Sequence, residues 1–151
     1  MVRHSDLATV HVMTVGVNRD LLYPQKDATD IARALGSSAG LVSPAAVTCL
    51  LEVTVAELRF AMRLLALQAP AYLVFYFAGH GTPTGIVRAD GEMSFAELAD
   101  LLRGTGAQWM LTILDSCHSG GLLEVAGVPT GLAPRTVDSD AVRLLLQAGP
   151  G

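Results

Sequence analysis

Apolar and polar positions change period repeatedly along this chain. Residues 10–17, Val-His-Val-Met-Thr-Val-Gly-Val, are rich in β-branched side chains and end at Asn18, which predicts a first strand. Ile31, Ala34 and Leu35 then recur at helical spacing behind early acids, and Gly36 supplies a stop, so 27–36 reads as a helix. A short second strand is expected at 46–51. Thr54 and Glu57 form a capping box ahead of Val55, Leu58, Met62 and Leu65, and Pro70 ends that helix. The run Ala71-Tyr-Leu-Val-Phe-Tyr-Phe-Ala78 is apolar at every position, as a central strand covered on both faces should be.

The second half repeats the alternation. Residues 81–93 hold Gly, Thr and Pro with an Asp90-Gly91 turn signal, predicting a loop or small hairpin. Ser94 and Glu97 make a second capping box for a helix over 94–103, and Trp109-Met-Leu-Thr-Ile-Leu114 is a fourth strand. Val142, Leu145 and Leu146 suggest a last helix within 138–148, after a Gly/Pro-rich stretch at 127–134. The expected organisation is one α/β domain over 1–125, with a mostly parallel sheet between helices, followed at 126–151 by a linker and a C-terminal helix.

Composition narrows the classes. A chain of 151 residues, 51% hydrophobic and 16% charged, suits one sizeable core rather than a disordered tail or a coiled coil. The formal charge of −4, with no basic block, disfavours nucleic acid as a partner. The longest apolar run is too short for a bilayer, and the first residues lack the pattern of a secretory signal. Two cysteines, Cys49 and Cys117, read as free thiols of a reducing, cytoplasmic compartment.

Reactive residues gather at two strand ends, where open α/β sheets place their chemistry. Gly79-His80-Gly81 follows the third strand, and Asp115-Ser-Cys-His-Ser-Gly120 follows the fourth. If these strands are neighbours, the imidazole of His80 comes within reach of Cys117 and can take the thiol proton, and the thiolate is the species that attacks a carbonyl. Flanking glycines leave backbone N–H groups open to an oxyanion. Cys49 reads instead as a buried small hydrophobe, His4 and His11 as solvated or structural, and His118 as a wall residue. Cys117, His118, His80 and Asp115 lack the spacing of a zinc site, and Gly16-Val-Asn18 lacks that of a phosphate loop.

Tyr76-Phe-Ala-Gly-His-Gly81 together with Leu114-Asp-Ser-Cys-His-Ser-Gly120 resembles the caspase-like cysteine peptidases, in particular the metacaspase and bacterial caspase-like (orthocaspase) branch. Val15-Gly-Val-Asn18 and Asp27-Ala28 extend the resemblance, which covers about 10–122. It implies a three-layer sandwich and a dyad in which Cys117 attacks the scissile carbonyl and His80 moves protons. The N–H groups of Gly81 and Cys117 would form the oxyanion hole. Asp115 and Asp27 match the acidic pocket positions of metacaspases, implying cleavage of peptides after Arg or Lys. No metal or other cofactor is implied, and the short 81–93 segment lacks the acid-rich insertion that accompanies calcium activation.

The segment Leu22-Tyr-Pro-Gln-Lys26 departs from the family pattern and sets a cation beside the acidic pair. The resemblance implies that the chain corresponds to the large-subunit portion, without the last strands of the complete domain. A small subunit, the C-terminal remainder of the domain or self-association would then complete the groove. Arg135 in the Gly/Pro-rich stretch is the candidate self-cleavage site, with Arg143 second. The alternative reading is an idle caspase-like scaffold that acts as an interaction or regulatory module.

Overall fold

The computed structural model describes residues 9–37, 42–117, 122, 136–137 and 142–148. In chain order these form β1 (Val10–Gly16), α1 (Pro24–Gly36), a short 3-10 turn, β2 (Val47–Leu51), α2 (Val55–Leu67), β3 (Tyr72–Ala78), β4 (Gly85–Val87), β5 (Glu92–Ser94), α3 (Phe95–Gly104), β6 (Trp109–Asp115), β7 (Thr136–Val137) and β8 (Val142–Ala148). The main sheet runs β2-β1-β3-β6-β8-β7; its first four strands are parallel, and β8 and β7 are antiparallel to their neighbours. The hairpin expected within 81–93 is present as β4 and β5.

Strand alternation divides the sheet between two apolar layers. Met13, Val15, Leu73, Phe75, Phe77 and Leu114 face α2 and α3, meeting Leu58 and Met62 of one helix and Phe95 and Leu98 of the other. On the opposite face Tyr76, Ala78 and Ile113 meet Ala28 and Ile31 of α1. The result is the three-layer α/β sandwich with a mostly parallel central sheet expected from the sequence. Phe75 and Phe77 are fully buried, so truncating either to Ala would cost about 3–5 kcal/mol. Among the described residues, no helix is long and apolar enough to cross a membrane.

Helix starts follow local chemistry and also depart from it. The Thr54–Glu57 box forms completely: the Glu57 N–H donates to Thr54 Oγ1 at 3.1 Å and the Thr54 N–H to Glu57 Oε2 at 2.7 Å. The second box forms only by half, because Ser94 Oγ accepts from the Glu97 N–H while the Glu97 carboxylate pairs with Arg59 of α2. α1 begins at Pro24, three residues before its first acid, since proline suits the first helical turn. The next N–H, of Gln25, is capped from a distance by Asn18 Oδ1 at 2.8 Å. Gly16 permits this close entry; a Cβ there would stand 2.5 Å from the Pro24 carbonyl oxygen.

Two expectations are corrected. Where a last helix is predicted within 138–148, residues 142–148 form β8, paired along β6 from Trp109↔Ala148 to Asp115↔Val142. A short apolar run does not distinguish helix from strand by periodicity, and the open edge of β6 offers this run a ladder. Cys49 is exposed rather than buried, because β2 is an edge strand with β1 as its one neighbour.

Candidate active site

The register of β3 on β6 aligns the two reactive segments. Ala78 pairs with Asp115, so His80 and Cys117 each lie two residues beyond the end of the same rung. The Gly79 N–H donates to the Asp115 carbonyl at 3.3 Å, carrying the pairing past the strand end. The loops then converge. A Cβ built on Gly81 would lie 2.0 Å from the Cys117 carbonyl oxygen and 3.0 Å from Ser116 Oγ, so only glycine fits against that backbone.

The small hairpin secures the histidine loop from the other side. The Val87 N–H donates to the His80 carbonyl at 2.9 Å, and Gly81 bridges to Ile86. His80 is half-buried, and its Nε2 meets Asp20 Oδ1 at 2.5 Å. That hydrogen bond, then one from its own backbone, then the nearby imidazole charge, holds the Asp20 carboxyl below its ordinary value. Arg19, Asp20, His80 and Val87 line an open cleft of about 430 Å³. Cys117 is exposed.

A second polar group lies on the α1 face. Tyr76 donates its hydroxyl to Asp115 Oδ2 at 3.2 Å. Partial burial raises the Asp115 carboxyl above its usual range; the Tyr76 hydrogen bond opposes this and the charge of Asp27 adds to it. Burial, followed by the charge and hydrogen bond of Asp115 and the charge of Asp27, pushes the Tyr76 phenol well above its ordinary value. Both carboxylates therefore act on one phenol beside the Cys117 loop. Lys26, the cation beside them in sequence, is engaged by Asp30 one turn further along α1.

Arg88 anchors the hairpin. It is fully buried, with its guanidinium 5.7 Å from the Phe77 ring centroid and Nη2 donating to the Val53 carbonyl at 3.2 Å. Burial lowers it to about 10, against the opposing pull of Asp90, Glu52 and Glu57. Among the described residues its Nε and Nη1 have no hydrogen-bond partner.

The structure thus sets the Gly81 backbone against that of Cys117, with His80 next to Gly81 in the chain, and puts Asp27 close enough to act on the Asp115 carboxyl. The sequence alone assigns no role to Asp20 or to the Tyr76 hydroxyl. Tyr76 stands at the head of the Tyr76–Gly81 motif, and the one signal for Asp20 is an acid in the short connection after a central strand. His11 is partly buried at the far end of β1 from the cleft. Arg135, His118 and His4 lie outside the described residues. A larger apolar groove of about 630 Å³, between α2 and the β1–β2 edge, is lined by Met13, Leu50, Phe60 and Leu64 and holds neither reactive motif.

A family model for the caspase domain, peptidase family C14, matches residues 10–144. No curated protein and no solved structure gives a match to the chain.

Proposed function

Because the chain belongs to the caspase-domain family of cysteine peptidases, we propose that it is an endopeptidase of the metacaspase type that cleaves after Arg or Lys. His80 takes the proton of Cys117, and the thiolate adds to the scissile carbonyl. The N–H groups of Gly81 and Cys117 receive the oxyanion, a role worth about 2.7–4 kcal/mol per donor in acyl-transfer enzymes. His80 then protonates the leaving amine, and water releases the acyl group.

The observation that carries this reading is the packing of Gly81 against the Cys117 backbone. It supports a single constellation built from two loops 36 positions apart in sequence. Asp27 and Asp115 are assigned to the substrate's basic side chain, since two carboxylates in each other's field favour a cation and suit the forked geometry of arginine. A nucleophilic thiol works only when reduced, which favours a cytoplasmic setting.

We also assign the chain a partner that completes the substrate groove: a small subunit, the domain's C-terminal remainder or a second copy. The test of the activity is a peptide-library digest of the full chain with its partner segment present. Cleavage confined to bonds after Arg or Lys and abolished in Cys117→Ala supports the proposal; cleavage after Asp contradicts the specificity.

A further inference from the structure

We propose that Asp20 is the positioning residue of His80, its carboxylate accepting the imidazole Nε2–H so that Nδ1 is left as the ring's proton acceptor. This rests on the Cys117–His80 reading above. Three observations support it.

The first is the order of the strands. β1, β3 and β6 are consecutive in the sheet, and Asp20, His80 and Cys117 follow their respective carboxyl ends. Acid, base and nucleophile therefore come from three separate loops at one end of three adjacent strands, with the base on the middle strand. Such arrangements are recognised by geometry and roles rather than by chain order.

The second is the backbone that presents the acid. Asn18 to Leu21 form a tight turn closed by the Leu21 N–H on the Asn18 carbonyl at 2.7 Å, and Arg19 within it has φ of +47°. An arginine in the left-handed region is held there at a cost. The turn is fixed in turn by Glu52, which accepts from the Asn18 N–H and, at 2.8 Å, from Gln25 Nε2. Its hydrogen bonds reach the end of β1 and the start of α1, so the placement of Asp20 is built into the packing.

The third is exposure. The Asp20 side chain is 83% exposed, and an ion pair in water adds little to stability. The pair is still built across 60 positions of sequence, and both its members line the open cleft beside the histidine loop. A neutral imidazole has one donor and one acceptor, and a carboxylate takes only the donor. The contact thus selects a tautomer. The charged groups that line this cleft are Arg19 and Asp20 from the turn, with His80 itself.

The test combines nitrogen NMR of histidine-labelled full chain at about pH 8.5, two units above the ordinary imidazole value, with steady-state cleavage of an Arg-containing peptide. In the unaltered protein His80 is the Nε2–H tautomer. Asp20→Ala gives a mixture of tautomers and lowers kcat about tenfold with KM unchanged, and Asp20→Glu recovers part of both. An unchanged tautomer in Asp20→Ala overturns the proposal whatever kcat does, and an unchanged kcat in the active enzyme overturns it as well. If the peptide is not cleaved by any form, or is still cleaved by Cys117→Ala, the dyad reading fails; a tautomer shift would still support the Asp20–His80 assignment.

Discussion

Gly81 and Cys117 are packed backbone to backbone, so closely that a methyl group on Gly81 would stand 2.0 Å from the Cys117 carbonyl oxygen. The nearest atom is backbone, so rotating the Ser116 side chain would not relieve the contact. Gly81→Ala therefore forces the histidine loop away from the cysteine loop and misaligns the N–H groups assigned to the oxyanion. The expected loss in kcat/KM is at least about 100-fold, with a lowered melting temperature. Peptide kinetics and a thermal scan of the variant check both.

The raised carboxyl of Asp115, assigned above to the substrate's basic side chain, predicts a pH dependence. The Asp115 carboxyl is raised by partial burial, with Asp27 adding to the effect. For an acid raised in the folded state, the stability it contributes is full below the unfolded-state value and is lost as pH rises through the folded one. Asp115→Asn should thus raise the urea midpoint at neutral pH and leave it nearly unchanged at about pH 3. The same variant should weaken turnover of Arg substrates by about 2–5 kcal/mol without creating a preference for Asp. For the unaltered enzyme, KM for an Arg substrate should climb as pH falls through the Asp115 value, above the usual carboxylate range.

Buried Arg88 gives a test of the core beneath the site. Burial lowers its folded-state value to about 10, and two of its nitrogens have no partner among the described residues. The charge therefore costs stability at neutral pH, and the cost is relieved as pH rises through about 10. Arg88→Met keeps much of the volume and removes that cost, so urea denaturation should show a gain of about 1–3 kcal/mol at pH 7. Arg88→Ala leaves a cavity behind Phe77 and should destabilise.

Self-cleavage after Arg135, expected from the sequence, is checked in the chain carrying an affinity tag after Gly151. A new amino terminus at Thr136, present in the active form and missing from Cys117→Ala, is the expected product of cutting after Arg135. The same fragment from both forms would assign the cut to another protease. Arg143, the second candidate, lies within β8 opposite Leu114, where a paired strand gives a protease poor access.

The parallel core was legible because each of its strands is a compact apolar or β-branched run bounded by turn residues, and α2 and α3 each open on a Ser or Thr cap three residues before a Glu, whereas α1, capped from Asn18, starts three residues earlier than its acids suggest. The positions of His80 and Cys117 were legible for the same reason: both follow such strands directly. Cys49 was misread because local sequence does not say that β2 would be an edge. The half-formed box at Ser94 and Glu97 reflects competition between a local partner and Arg59, a residue 38 positions away. Asp20 and the Tyr76 hydroxyl acquire partners only through the β1-β3-β6 order, since His80 is 60 positions from Asp20 and Asp115 is 39 from Tyr76. The strand at 142–148 depends on the free side of β6, a feature absent from its own residues.

Covalent labelling tests the central claim most directly, because it reads the nucleophile and the pocket together. The full chain, with its partner segment supplied, is treated with a peptide electrophile ending in Arg or with the matching one ending in Asp, and the adduct is mapped by mass spectrometry. The account predicts rapid modification of Cys117 by the Arg reagent, slow modification by the Asp reagent, and loss of the adduct in His80→Ala. An adduct on Cys49 with Cys117 untouched, or faster labelling by the Asp reagent, would contradict it.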